Sequence, residues 1–393
     1  MKASRIYLVG LLLSFLMMSL GCSENVSPKI SGTDGGTDAS TDGGEKPDGA
    51  IPNLPADPFS YFLKPTDQLG FQDSPQAFQL THDGALNTLA GELDFQLGPK
   101  RELLDQPIRT LKGGYQPVFL FHRYDRGVDY RFEAFAAPHA LDPRENLVCF
   151  VRVTAVNVTN RTVETAFSAT FRDRRDSTRH ELKAPTWYRN RFMDAEAFDK
   201  SVVTAVEPPF VTKGTHLLMA LGSSLGEAFD ASAGSDPQVL WSFELEPGAE
   251  ETFEFRIPYV PIERGRTAEV AKFMGLDHGE TRDAVEKHWD TLLAAGTGFS
   301  IPEPKVEETS KTSLIYDLMA RDIDETGKLF TQKVNEFQYD AFFPRDAAYF
   351  AYTYDLLGHH QIAEEVIEHF LLKDGGGSPT ALRRIYPDDW GQS

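Results

Sequence analysis

Val128-Asp129-Tyr130-Arg131-Phe132-Glu133-Ala134-Phe135 sets an apolar side chain at every second position until its last two residues. A period of two belongs to a strand with one face buried and the other wet. The neighbouring segments repeat the theme. Tyr115–Phe121 (YQPVFLF), Val148–Asn157 (VCFVRVTAVN), Ala166–Arg172, Gln238–Glu244 (QVLWSFE) and Glu251–Pro258 all read as strands, the last preceded by a Pro247-Gly248 turn. Many alternating strands with turn residues between them predict antiparallel sheets packed as a sandwich. The β region, residues 59–262, is long for one simple immunoglobulin-like sandwich, so a larger two-sheet super-sandwich is expected. Asn157-Val158-Thr159 and Asn160-Arg161-Thr162 match a glycosylation sequon but read here as a polar turn.

Past Pro261 the period changes. Ala268–Met274 and Thr281–Ala295 show helical spacing, with Val285, Trp289 and Leu292-Leu293 on one face and Gly296 as a stop. Phe299–Pro304 (FSIPEP) reads as an extended connector, because residues before proline avoid the helical region. Residues 263–305 thus form linker helices and a connector. A helix over 306–322 would bury Leu314, Ile315, Leu318 and Met319. Further helices are predicted over 346–357, closed by Gly358, and over 360–373. The fold class is therefore mainly β, an antiparallel super-sandwich followed by an all-α segment.

The N-terminus points to export. Lys2 and Arg5 precede an apolar run from Ile6 to Met18, too short to span a bilayer but suited to a secretory signal. Ser19-Leu20-Gly21-Cys22 resembles a bacterial lipobox, with Ser19 where an aliphatic residue is usual. The resemblance implies cleavage after residue 21, a lipidated Cys22, and residues 1–22 as a lipoprotein signal. Ser23 after the cysteine implies an outer-membrane destination in the bacterial envelope. An ordinary cleaved signal with an incidental cysteine is the alternative. Residues 23–58, dominated by Gly, Ser, Thr, Asp and Pro, read as a linker without a packed core. As a flexible coil it would span roughly 30 Å. Its TDGG stretches lack the spacing of a calcium loop.

Charge excludes some partners. With 39 basic and 59 acidic residues the formal net charge is −20, which disfavours nucleic acid and electrostatic adhesion to anionic lipid. Cys22 and Cys149 are the only cysteines, so no disulfide and no zinc spacing is expected, and Cys149 reads as a core filler in a buried strand. No cofactor is implied.

Chemistry concentrates at Phe343-Pro344-Arg345-Asp346-Ala347-Ala348-Tyr349. Arginine offers a rigid fork of donors and an ionised aspartate only acceptors, so the pair can satisfy adjacent sugar hydroxyls. Tyr339–Tyr349, continuing to Leu356-Leu357-Gly358, is similar to the aromatic-Pro-Arg-Asp-Ala-Ala segment of six-hairpin glycosidases, including bacterial glucoamylase-like enzymes. The order of sandwich, linker helices, connector and paired helices resembles their architecture too. The likeness covers about residues 280–375 in detail and the sandwich only in outline. It implies that residues 306–393 begin an (α/α)6 barrel, present here as an incomplete one. It also implies that Arg345 and Asp346 hold a saccharide, with Phe343 and Tyr339 beside them and an α-glucan as ligand. Phe343 stands where those enzymes usually have Trp. The plain alternative makes Asp346 the N-cap of the helix, worth about 1 kcal/mol, with Arg345 pairing to a surface carboxylate.

Inverting hydrolysis needs two carboxyls roughly 6.5–9.5 Å apart. In the resembled family both lie beyond the Arg-Asp segment, and the sequence ends 47 residues after Asp346. The expectation is a lipid-anchored protein of glycoside-hydrolase lineage, truncated early in the barrel and catalytically incomplete by itself, with no catalytic residue assigned. The other reading is a non-enzymatic surface lipoprotein whose sandwich binds carbohydrate or a protein. His359, His360 and His369 are not expected to bind metal, and Glu364, Glu365 and Glu368 read as a solvated helix face. Asp374–Ser378 reads as a loop and not a phosphate cradle.

Overall fold

Two antiparallel sheets form the body of the described structure. The computed structural model describes residues 66–104, 108–172, 182–194, 202, 204–226, 229–232, 236–298, 300–337 and 341–372. The first sheet contains β1 (Thr66–Leu69), β2 (Phe78–Thr81), β3 (Leu86–Asn87), β4 (Glu92–Leu97) and β5 (Glu102–Leu103). The second contains β6 (Arg109–Lys112), β7 (Gln116–Asp125), β8 (Val128–Pro138) and β9 (Leu147–Asn157). The chain returns to the first sheet with β10 (Val163–Arg172), then builds β11 (Thr204–Glu207), β12 (Phe210–Lys213) and β13 (His216–Ser223) on the second. β14 (Asp230–Ala231) and β15 (Gln238–Leu245) complete the first sheet, and β16 (Glu250–Pro258) and β17 (Ile262–Glu263) the second. Spatial order is β1-β2-β3-β4-β10-β15-β14 in one and β11-β12-β13-β16-β9-β8-β7-β6 in the other, with β5 beside β4 and β17 beside β13.

The expected strands are all present, and the alternation in β8 has the predicted meaning. Val128, Tyr130, Phe132 and Ala134 are buried, whereas Arg131 is exposed. At Phe135 the alternation stops because both faces become covered. Phe135 stacks on Phe150 at 4.9 Å, and His278 from a linker helix caps the pair edge-on. The β7–β8 hairpin turns through Arg126 and Gly127, both at positive φ, as a two-residue turn matched to strand twist demands.

Aromatic side chains fill the space between the sheets. Phe95, Phe167 and Trp241 from the first meet Phe132, Phe253 and Phe255 from the second. Centroids lie 5.6 Å apart for Phe95–Phe132, 4.8 Å for Phe167–Phe253 and 5.0 Å for Trp241–Phe253. Cys149 is fully buried in β9, and Asn157 closes the β9–β10 turn by donating to the Arg161 and Leu245 carbonyls.

The helices follow. A short α1 (Thr186–Arg189) lies within the β region; α2 (Thr267–Met274) and α3 (His278–Ala295) form the linker. Asp277 caps α3 by accepting from the Glu280 amide at 2.9 Å. Trp289 buries against Phe71, and Lys112–Glu286 (2.5 Å) and Gln116–Asp290 (2.6 Å) fasten α3 to β6 and β7. Next come α4 (Pro304–Met319), α5 (Pro344–Leu356) and α6 (His360–Leu372). Leu314, Ile315, Leu318 and Met319 are buried as expected.

Several helix boundaries differ from the sequence reading: α3 begins at His278 and not at residue 281, and α4 at Pro304 and not at 306. The helix predicted to run to residue 322 stops at Met319. Arg321–Ile323 is instead strand β18, paired with β19 (Phe330–Gln332). The turn between them is built by Asp324, whose carboxylate accepts from the Lys328 and Leu329 amides, and by Gly327 at φ 72°. The next helix starts at Pro344 and not at residue 346. Pro344 occupies its first turn and Phe343 the extended N-cap position. Gly358 closes it at φ 81°, as predicted.

Two outcomes follow from this packing. Trp289→Ala should cost about 3–5 kcal/mol, read as a lower midpoint in urea unfolding. Cys149, whose pKa burial pushes far up, should react with a thiol reagent only in denaturant, at the rate of global unfolding.

Candidate functional site

The first turn of α5 carries the residues singled out by the sequence. Phe343 is half-buried at the N-cap position, Arg345 is exposed, and Asp346 is half-buried as the third helical residue. Tyr339 and Cys22 lie outside the described residues. Asp346 is therefore not the N-cap, and no side chain makes an N-cap hydrogen bond to α5. A carboxylate in the first turn still complements the helix dipole.

Helical geometry separates the faces. Ala347, Ala351 and Tyr354 point inward and are buried. Arg345, Ala348, Tyr349, Tyr352 and Leu356 share the outward face, with Tyr349 at 54% and Tyr352 at 53% exposure. Arg345 and Tyr349 are four residues apart and so are neighbours on it. A guanidinium next to an open phenol ring can combine hydrogen bonding with apolar contact to a sugar face.

Beneath α5 lies a polar network absent from the sequence reading. The Tyr354 hydroxyl donates to Gln332 Oε1 at 2.9 Å, and Gln332 Nε2 donates to the Asp317 carbonyl at 3.0 Å. Arg321 is completely buried, with Nε 3.0 Å from Asp73 and Nη2 2.6 Å from Glu365, and lies over the Phe330 ring. Lys333 reaches Asp322 at 2.6 Å and Glu336 at 3.2 Å. Glu365 is thus not part of a solvated helix face. It leans inward to neutralise a buried charge, while Glu364 and Glu368 remain exposed. The available signal was Arg321 itself, set just past a buried apolar stripe where a lone charge needs a partner.

Burial raises the Asp73 pKa to about 6 against the pull of Arg321. Burial also raises Glu336 well above the usual carboxylate value, with Asp322 adding and Lys333 opposing. Burial disfavours the Lys333 ammonium, but the Glu336 and Asp322 carboxylates outweigh it and raise the pKa.

Three histidines are engaged within the fold. Burial, with Arg152 and Arg282 nearby, lowers His278 to about 3. His360 opens α6 and contacts Asp355 at 2.6 Å, whereas His369 is buried against Phe342. Among the described residues no group of three or more His, Cys, Asp or Glu is placed to hold a metal. Elsewhere, a cavity of about 200 Å³ on the sandwich is bordered by Pro209, Leu221, Phe229 and Trp241, with Ser223 on its wall.

The sequence matches no family profile and no curated protein. Among solved structures, the chain is similar to a candidate kojibiose phosphorylase from the human microbiome, at 8% identity and a TM-score of 0.43, over 78% of this chain and 46% of that one. It is also similar to a family GH92 inverting mannosidase from Bacteroides thetaiotaomicron VPI-5482, at 10% identity and a TM-score of 0.37, over 79% and 45%. A family GH92 alpha-mannosidase from Bacteroides thetaiotaomicron gives 10% identity and a TM-score of 0.30, over 77% and 48%. The chain spans less than half the length of each.

Proposed function

We propose that this chain binds a saccharide at the mouth of α5, and that it is an envelope protein of glycoside-hydrolase lineage held by lipid at Cys22. The observation that carries the reading is the placement of Arg345 and Asp346 in the first turn of a helix that follows a sandwich, linker helices and an extended connector. This is the order in which six-hairpin glycosidases set their sugar-gripping pair. The exposed Tyr349 ring beside Arg345 adds an apolar surface suited to a pyranose. A glucoamylase-like preference for α-linked glucose follows from the same motif.

Binding is the activity the geometry supports, and cleavage is not assigned. Several carboxylates of the surrounding segment are engaged elsewhere: Glu365 with Arg321, Asp322 and Glu336 with Lys333, and Asp355 with His360. A pair free to act as acid and base, roughly 6.5–9.5 Å apart, is not identified among them.

Calorimetric titration of the full chain with maltoheptaose tests the reading. Arg345→Ala and Asp346→Asn should each weaken binding at least about tenfold, equivalent to about 1.4 kcal/mol. Unchanged affinity in both variants, or no binding by the native chain, would sink it. The second reading rests on the sandwich cavity. There Leu221→Trp would abolish binding and Arg345→Ala would leave it intact.

The anchor has its own test. With a net charge of −20, adhesion to anionic lipid by charge is disfavoured, so membrane retention should depend on acylation. A radiolabelled fatty acid fed to expressing bacteria should label the native protein and not Cys22→Ala. Equal labelling of both would refute lipidation at Cys22.

A further inference from the structure

The joint between the sandwich and the helical segment is built from ions, and the ions do not balance. Arg321 on β18 is shared between Asp73, in the loop after β1, and Glu365 on α6, at 3.0 and 2.6 Å. Lys333, just past β19, is shared between Asp322 and Glu336 at 2.6 and 3.2 Å. Each cation serves two carboxylates, so each triad carries a net negative charge when all its acids are ionised. Arg321 and Glu336 are almost wholly shielded from water, and Lys333, Asp73, Asp322 and Glu365 largely so. Surplus charge is costly in such surroundings, and a proton relieves it.

Among the described residues, no second cation lies within ion-pairing distance of Asp73 or Glu365. On α6, His369 is buried one turn from Glu365, against Phe342 and 3.3 Å from Thr331 Oγ1. From α3, His288 reaches Asp73 only through Gln72: His288 Nε2 lies 2.9 Å from Gln72 Oε1, and Gln72 Nε2 donates to Asp73 at 3.1 Å. Burial lowers the His288 pKa, which disfavours a charge on the ring. From α4, Asp317 is a further acid, its pKa raised well above normal by burial. From α5, Tyr354 contributes a neutral hydroxyl bound to Gln332. Four carboxyls therefore share two cations, and the Arg321 set bridges the loop after β1 and α6. Backbone bonds cross the same surface, from the Asp73 amide to the Leu318 carbonyl and from the Ile323 amide to the Asp73 carbonyl.

We propose that this charge cluster is a proton-responsive latch: mild acid tightens the docking of α5 and α6 on the sandwich, and neutral pH loosens it. The sign follows from which state holds protons more firmly. Burial raises the Asp73 pKa in the docked protein to about 6, above the usual 3.8. A group raised on docking gives stability that is complete below its ordinary pKa and is lost as pH rises through the docked value. The window for Asp73 thus runs from about 4 to about 6. The claim concerns docking and stands whether or not a saccharide binds at Arg345.

Hydrogen exchange of the full chain at about pH 7 and pH 4.5, expressed as protection factors, tests it. Protection in α5 and α6 should rise about tenfold at the lower pH, while β8 and β9 stay level. Asp73→Asn removes the charge and suits the backbone, since residue 73 sits at φ 59°, where asparagine is well tolerated. In that variant the helices should be protected at about pH 7 nearly as well as at about pH 4.5. Glu365→Gln, which removes the second acid from Arg321, provides the same readout should Asp73→Asn fold poorly. Equal protection of native α5 and α6 at both pH values, or a tenfold response surviving in both variants, would overturn the latch.

Discussion

The mutual burial of two aromatic sheet faces is the constraint on which everything else rests. Phe167 has ring neighbours in both sheets, Phe95 and Trp241 beside it and Phe132, Phe253 and Phe255 opposite. Dense contact of this kind fixes register, because a one-residue slip would turn every inward ring to water. It also creates a rigid outer surface on which α3 lays Trp289 and to which the loop after β1 presents Asp73. The helical segment is assembled on that platform.

Much of this was legible because the relevant strands are wet on one side. In β8 and β16 the pattern of apolar residues maps directly onto burial. The opening strands escaped detection for the opposite reason. Phe78–Thr81 is buried at all four positions. Its Gln79 is buried, with Oε1 accepting from Asn87 at 2.6 Å, so polar residues no longer mark the solvent side. β13, an apolar run from His216 to Leu221, lacks alternation for the same reason. Helix α4 was drawn too long because Arg321 and Asp322 suit a helix end as well as a strand, and only the pairing with Gln332 and Thr331 decides.

At the candidate site the motif was visible and its support was not. Arg345 and Asp346 announce themselves through an unusual neighbourhood of proline, alanine and aromatic residues. Glu365 sits among other glutamates on a helix, where composition suggests solvent. Its role appears only when the fold brings it to Arg321, 44 positions earlier in the chain. Pairwise electrostatics between distant segments leave little trace in local pattern, whereas apolar periodicity is local by nature.

The separation of Asp73 from Arg321 bears on how the chain assembles. They lie 248 positions apart, a span whose closure would be slow if it had to occur in one step. The sheets divide that journey. β4 already joins β10, β9 joins β16, and β17 ends at Glu263. Once these strands are paired, Asp73 is held in place and Arg321 needs only the short reach from the end of β17. Vectorial synthesis supplies the parts in that order, so the sandwich can act as a template before the last helices exist.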